Sequence, residues 1–128
     1  MLSDYLYVKD MPKKGRGVYT SSPIEEGVVV ELSPVIVMNQ EDRVHLDKTL
    51  LHDYIFEWGT LEDLCCMALG LVPIYNHSYS SNCEYFMDYE AHTIMIKTVR
   101  SIEADEELTI NYNGDWNDES TVWFEVEE

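Results

Sequence analysis

Short runs of Val, Ile, Tyr and Thr recur along this chain, and Gly, Pro, Asn or Asp interrupts each of them after a few residues. Segments this short suit strands. Their β-branched and aromatic side chains pack on a pleated surface, and the interrupting residues supply turns. The pattern predicts a mainly β domain. Tyr5 to Val8 reads as a strand, Met11 to Gly17 as a turn and Val18 to Thr20 as β again. Ile24-Glu25-Glu26-Gly27 reads as a second turn, and Ile102 to Glu107 resembles it. Val28 to Leu32 and Val35 to Met38 read as two strands split by Ser33-Pro34. Glu84 to Tyr89 and Thr93 to Val99 read as a hairpin, and Leu108 to Tyr112 as the last strand. One stretch follows a helical period, since Leu61, Leu64, Cys65 and Ala68 fall on one face. It predicts a short helix over 61–69, capped by Thr60 with Asp63 in the manner of a capping box and stopped by Gly70. Residues 39–49 read as polar and irregular, and Leu50 to Trp58 fits helix and strand equally.

Charge narrows the partners. The 128 residues carry 25 acidic and 8 basic side chains, a formal charge of −17. Such a field excludes a nucleic acid gripped through basic charge and disfavours an anionic membrane. The distribution is uneven: Lys9, Lys13, Lys14 and Arg16 lie near the start, and no Lys or Arg follows Arg100. A solvated acidic surface is one reading, and attraction of a basic partner is the other. Three cysteines, two of them adjacent, make neither a disulfide framework nor a zinc site. Asp4 and Lys9 interrupt the start of the chain, so it lacks a signal-peptide core, and no apolar run approaches the ~20 residues of a membrane span. The expected setting is intracellular and soluble, cytoplasmic in a bacterial host.

Three motifs stand out, each weak by itself. Gly15-Arg16-Gly17 is first a tight turn that also permits close approach of a ligand to main chain. Asn76-His77-Ser78 groups side chains that bond local backbone. Tyr112 ends a strand. Their combination says more. Lys14-Gly15-Arg16-Gly17-Val18, then Asn76-His77-Ser78 with Asn82, then Glu107-Leu108-Thr109-Ile110-Asn111-Tyr112 resembles, in order and spacing, the SET-domain protein lysine methyltransferases. The likeness spans about residues 4 to 116, and the chain resembles a minimal member, close in size to the small viral ones. The chain departs from the family pattern in three places. Ser81 stands where Pro is frequent and should loosen the loop slightly, Asn111 stands where Asp is frequent, and Tyr79 stands where Cys is common.

That resemblance implies a SET fold: small curved β-sheets around a C-terminal pseudoknot, with one short helix. It implies a catalytic domain over 4–113 and an acidic segment bearing aromatics over 114–128. It implies S-adenosyl-L-methionine as cofactor, held by Lys14, Gly15, Arg16, Gly17, Asn76, His77 and Trp116, with no metal. Tyr112 is the expected catalytic residue, and Tyr54 and Tyr112 the expected walls of a lysine channel. The implied partner is a basic protein such as a histone or histone-like protein, and two copies of the chain forming a homodimer would complete a substrate groove. Trp123 and Phe124 would serve that contact or fold back as a lid. The alternative is a SET-fold binding module that holds a peptide or the cofactor without turnover.

Overall fold

The computed structural model describes residues 1–114 together with Glu119 and Val122. Two sheets carry the chain. The first runs in the order β1 (Leu6–Met11), β2 (Gly15–Thr20), β9 (Glu107–Ile110), β6 (Asn76–His77). The second runs β4 (Phe56–Trp58), β5 (Leu64–Ala68), β3 (Val29–Met38), β8 (Thr93–Thr98), β7 (Cys83–Asp88). Val18, Val30, Tyr75, Ile94, Ile96, Leu108 and Ile110 belong to the buried core. The mainly β expectation holds. No described helix is long and apolar enough to cross a membrane.

β3 is one strand, where the sequence suggested two. Its first half pairs with β8 and its second with β5, and the partner changes at Pro34. A proline lacks the N–H for a ladder, so an exposed switch point is where a strand tolerates one. The two similar turns at Ile24 and Ile102 pair with each other, each residue's N–H donating to the other's carbonyl at 2.8 Å.

The helix lies elsewhere than expected. Residues 64–68 form β5, whose Cys65, Cys66 and Ala68 are buried between β3 and β4. An apolar run this short satisfies a helical period and a buried strand alike, and the neighbouring strands decide. Thr60 lies between Gly59 and Glu62, both with positive φ, in the turn joining β4 to β5. The helix is α1 (Gln40–Leu46), in the segment expected to be irregular. Asn39 accepts from Asp42 N–H, and Asp42 accepts from Asn39 N–H, so a capping box starts it. None of its side chains is buried, so no apolar stripe announces it.

β9 runs inside the loop 76–82. On one side it pairs in parallel with β6, Asn76 opposite Thr109 and His77 opposite Ile110. On the other, Asn82 accepts from Thr109 N–H at 2.9 Å and donates to the Glu107 carbonyl at 2.8 Å. The strand leading to Tyr112 is thereby held within the strap that bears Asn76 and His77.

Candidate active site

The site grows from this strap. Because β9 lies between β2 and β6, the glycine turn, the Asn76-His77 pair and the start of the Tyr112 segment become neighbours. Asn76 Nδ2 donates to the Arg16 carbonyl at 3.1 Å and to Glu107 Oε2 at 2.7 Å. Lys14 Nζ reaches Glu107 Oε1 at 3.1 Å. Gly17 is closely enclosed, since a Cβ would fall 2.4 Å from Glu107 Oε2 and 2.9 Å from Asn76 Nδ2 and would force those side chains to shift. Gly15 differs: its φ of +73° favours glycine, and a Cβ would meet nothing within 4 Å. Main chain is therefore exposed to open space at Gly15.

His77 is 4% exposed. Its Nδ1 accepts the Tyr112 backbone N–H at 2.9 Å, which assigns the ring proton to Nε2. Its ring meets Tyr79 edge-on at 4.5 Å and tilts toward Tyr112 at 5.2 Å. His77 thus orients the backbone that carries the tyrosine. The Tyr112 hydroxyl donates to the Tyr75 carbonyl at 2.6 Å. Burial first, then the Tyr54 and Glu107 side chains, push the phenol well above its ordinary pKa. A group so placed keeps its proton at neutral pH and works as a hydrogen-bonding hydroxyl.

Two hollows flank this tyrosine. The smaller, about 350 Å³, is lined by Lys14, Gly15, Arg16, Ile74 and Asn76. The larger, about 820 Å³, is lined by Phe56, Glu57, Glu62, Tyr85, Phe86 and Tyr89 among others. Asp53, Tyr54, Pro73 and Tyr112 line both. The larger hollow opens between β4 and β7, the two edge strands of the five-stranded sheet. Side chains cross that gap: Phe56 meets Tyr85 edge-on at 5.5 Å, and Trp58 meets Tyr89 at 4.9 Å. On its rim Glu57 is raised in pKa by a hydrogen bond shared with Glu62, by burial and by the Glu62 charge, with Arg43 3.9 Å away opposing.

The chemistry of the two walls differs. Lys14 and Arg16 beside exposed glycine main chain suit an anionic group. Aromatic faces with an acidic rim suit a cation on an alkyl stem. The walls meet at a neutral phenol.

The structure brings together Lys14, Gly15, Arg16, Gly17, Asn76, His77, Tyr54 and Tyr112. Trp116, Trp123 and Phe124 lie outside the described residues, as does most of the 114–128 segment. Ser81, standing where Pro is frequent, is fully buried; its hydroxyl donates to the Cys83 carbonyl at 2.9 Å, and Arg100 donates to the Ser81 carbonyl at 2.9 Å. Asn111 takes up a local turn, its Oδ1 accepting from Asn113 N–H at 3.0 Å. Sequence reasoning missed Tyr85, whose hydroxyl donates to the Tyr112 carbonyl at 3.4 Å. It missed Tyr75 and the buried Glu31 as well, although an acidic residue inside the run Val28 to Leu32 was a signal.

Comparison with known proteins agrees with this geometry. Residues 15–113 match the SET domain family model. The chain is 35% identical over 123 residues to a Schizosaccharomyces pombe histone-lysine N-methyltransferase, H3 lysine-37 specific, covering 95% of this chain and 78% of that protein. It also shares its fold with the crystal structure of a Plasmodium falciparum protein assigned as a histone methyltransferase. The TM-score is 0.66 at 24% identity, over 90% of this chain and 98% of the other.

Proposed function

The chain belongs to the SET-domain family and is a protein-lysine N-methyltransferase, and from that premise we propose that it transfers the methyl group of S-adenosyl-L-methionine to a lysine of a basic protein. The observation that carries the finer reading is the pair of hollows that share Tyr54, Pro73 and Tyr112. A donor in one and an acceptor in the other would meet at that junction. The Schizosaccharomyces pombe relative is named for a histone substrate, which supports a basic partner, as does the −17 charge of this chain.

The smaller hollow fits the cofactor by its donor set. Of its lining, Lys14 and Arg16 would hold the carboxylate and the Gly15 main chain and Asn76 the methionine portion; Gly17 and the main chain at His77 are proposed beside them from the sequence resemblance. Trp116 is proposed beside them from the sequence. The bound cofactor supplies an electrophilic methyl group on a sulfonium.

The protein's residues prepare the amine. A free lysine at pH 7 is almost wholly protonated, and freeing its lone pair costs about 4.6 kcal/mol. A dry aromatic channel reduces that cost by disfavouring the ammonium. Tyr54 and Tyr112 would confine the stem so that nitrogen and methyl carbon lie in line, which supplies most of the remaining acceleration. Tyr112 does not take the proton, since burial keeps its own in place. Its hydroxyl donates a hydrogen bond to the Tyr75 carbonyl, and its oxygen would accept from the amine.

The test is transfer of tritiated methyl from S-adenosyl-L-methionine to histone H3 and a panel of other basic proteins, with cofactor binding followed by calorimetry. Label retained on lysine after protein hydrolysis is the expected result. Cofactor binding without label on any protein would make the chain a binding module, and absence of both would discard the reading.

A further inference from the structure

The reaction just described leaves one buried carboxylate unused. Glu31 lies on β3 beside a bulge: the register with β8 shifts between Val29 and Glu31. A bulge re-aims side chains, and here two consecutive residues, Val30 and Glu31, both end fully buried. None of the salt bridges among the described residues involves Glu31. Three neutral donors converge on it instead. Ser33 Oγ donates to Oε2 at 2.6 Å, Leu71 N–H to Oε2 at 2.8 Å and Tyr75 Oη to Oε1 at 3.0 Å. Gly70 makes room for this, because a Cβ would sit 2.4 Å from Glu31 Oε2.

The carboxylate therefore grips both ends of one short segment. Leu71 opens the 3-10 turn Val72–Ile74 and Tyr75 closes it. Between them stand Pro73 and Ile74, which line the hollows. The Tyr75 carbonyl, on the same residue as the gripped hydroxyl, is the acceptor of the Tyr112 hydroxyl at 2.6 Å. We propose that Glu31 and Tyr75 are positioning residues for Tyr112: the carboxylate fixes the 71–75 turn and thereby the direction of the hydroxyl at the transfer point. The proposal rests on the methyltransferase reading above for its kinetic consequence, though not for its geometry. Fold stability alone is a poor reason for such a group, since apolar residues of the same volume serve a core as well as a buried charge does.

Two variants test it, each also made in a Tyr112→Phe background. Tyr75→Phe deletes one oxygen and Glu31→Gln keeps the shape. Tyr75→Phe is expected to lower the single-turnover rate about tenfold, the scale of a small misplacement at a reacting centre. Cofactor Kd and peptide KM should change less than the rate does, because neither variant replaces a side chain that lines a hollow. In the Tyr112→Phe background the same change should cost nothing further, since no hydroxyl remains to be aimed. Equal losses in both backgrounds, or a wild-type rate for Tyr75→Phe, would overturn the proposal. If Glu31→Gln fails to fold, Tyr75→Phe carries the test. A second measurement needs no turnover: in protein labelled with 13C at tyrosine Cζ, both variants should shift the Tyr112 resonance. An unmoved resonance would sink the positioning role even if no methyl acceptor were found, and a moved resonance without any transfer would sink only the methyltransferase reading.

Discussion

The two hollows that meet at Tyr112 are built from different materials. The smaller is a main-chain site: Gly15 exposes backbone to open space, Gly17 leaves no room for a side chain, and the Asn76 amide holds the Arg16 carbonyl. The larger is a side-chain site, walled by Phe56, Tyr85, Phe86 and Tyr89 across the gap between two sheet edges and rimmed by Glu57 and Glu62. A ligand read by backbone depends on conformation, which a few glycines enforce. A ligand read by side chains depends on their identities, which are free to change. The division suits an invariant cofactor on one side and a particular substrate on the other.

The junction belongs to both sites, so damage there should show the largest effect. Tyr112→Phe removes a hydroxyl from the proposed transfer point and is expected to lower kcat about 100-fold, the scale of deleting one preorganised polar group. Cofactor Kd by calorimetry should change less than about threefold, because the phenol lines the hollow while the glycine turn and Asn76 build it. Unchanged turnover would remove Tyr112 from the reaction, and a large loss of cofactor affinity would erase the division between the two hollows.

The proton should come from the substrate side. With Tyr112 held above its ordinary range, no deprotonated phenol is available at neutral pH. The ascending limb of kcat/KM therefore reports the free lysine, whose pKa is about 10.4, and should climb close to tenfold per pH unit from 7 to 9. A plateau beginning near pH 7 would instead identify an enzyme base. Burial raises the Cys83 thiol from 9.0 to about 12. At this group the folded state keeps a proton that the unfolded chain loses, so its contribution to stability falls as pH rises from the lower value toward the higher, above the range assayed.

One variant in each hollow separates them further. In Gly17→Ala the new methyl overlaps Glu107 and Asn76. Overpacking of this kind costs roughly 1–3 kcal/mol, so cofactor Kd should rise about tenfold while peptide KM holds. Tyr85→Phe deletes the hydroxyl on the Tyr112 carbonyl and should raise peptide KM a few-fold while cofactor Kd holds. If each variant moves both constants, the hollows are one site.

The same division explains what could be read from the residues. Gly15, Gly17, Asn76 and His77 were weak signals singly and became legible only through the resemblance of their motifs, in order and spacing, to SET-domain proteins. Tyr54 and Tyr112 came with that resemblance. Tyr85 was read as an ordinary strand residue, since nothing local distinguishes a tyrosine facing a gap from one facing a core. Glu31 was hidden by its bulge, which breaks the strand alternation that assigns a residue to one face. The helix was misplaced for a related reason. Residues 64–68 satisfy a helical period yet lie between two strands. Gln40–Leu46 buries nothing and rests on a capping box and a Gln40 bond to the Asp63 carbonyl. Hydrophobic periodicity reports burial: where an element has none the period is silent, and where a short element is buried between neighbours it no longer separates helix from strand.

The mildest difference between the hollows is electrostatic. Lys14 and Arg16 line the smaller one, and Glu57 and Glu62 the rim of the larger. An acidic rim on a chain of charge −17 should hasten the arrival of a basic peptide without fixing it in place. Raising ionic strength from 0.05 to 0.5 M shortens the screening length from ~14 Å to ~4 Å. kcat/KM for a basic peptide should then fall several-fold while kcat stays level. The double variant Glu57→Gln, Glu62→Gln should flatten that dependence and leave cofactor Kd unmoved. Because Glu57 shares a hydrogen bond with Glu62 and holds its proton to a higher pH than usual, the rim is less negative at mildly acidic pH. The salt dependence should accordingly steepen as pH rises through that range and the shared proton leaves. A salt profile that is flat in the wild type would show that the charge serves only to keep the surface solvated. A steep profile untouched by the double variant would assign the attraction to the field of the whole chain.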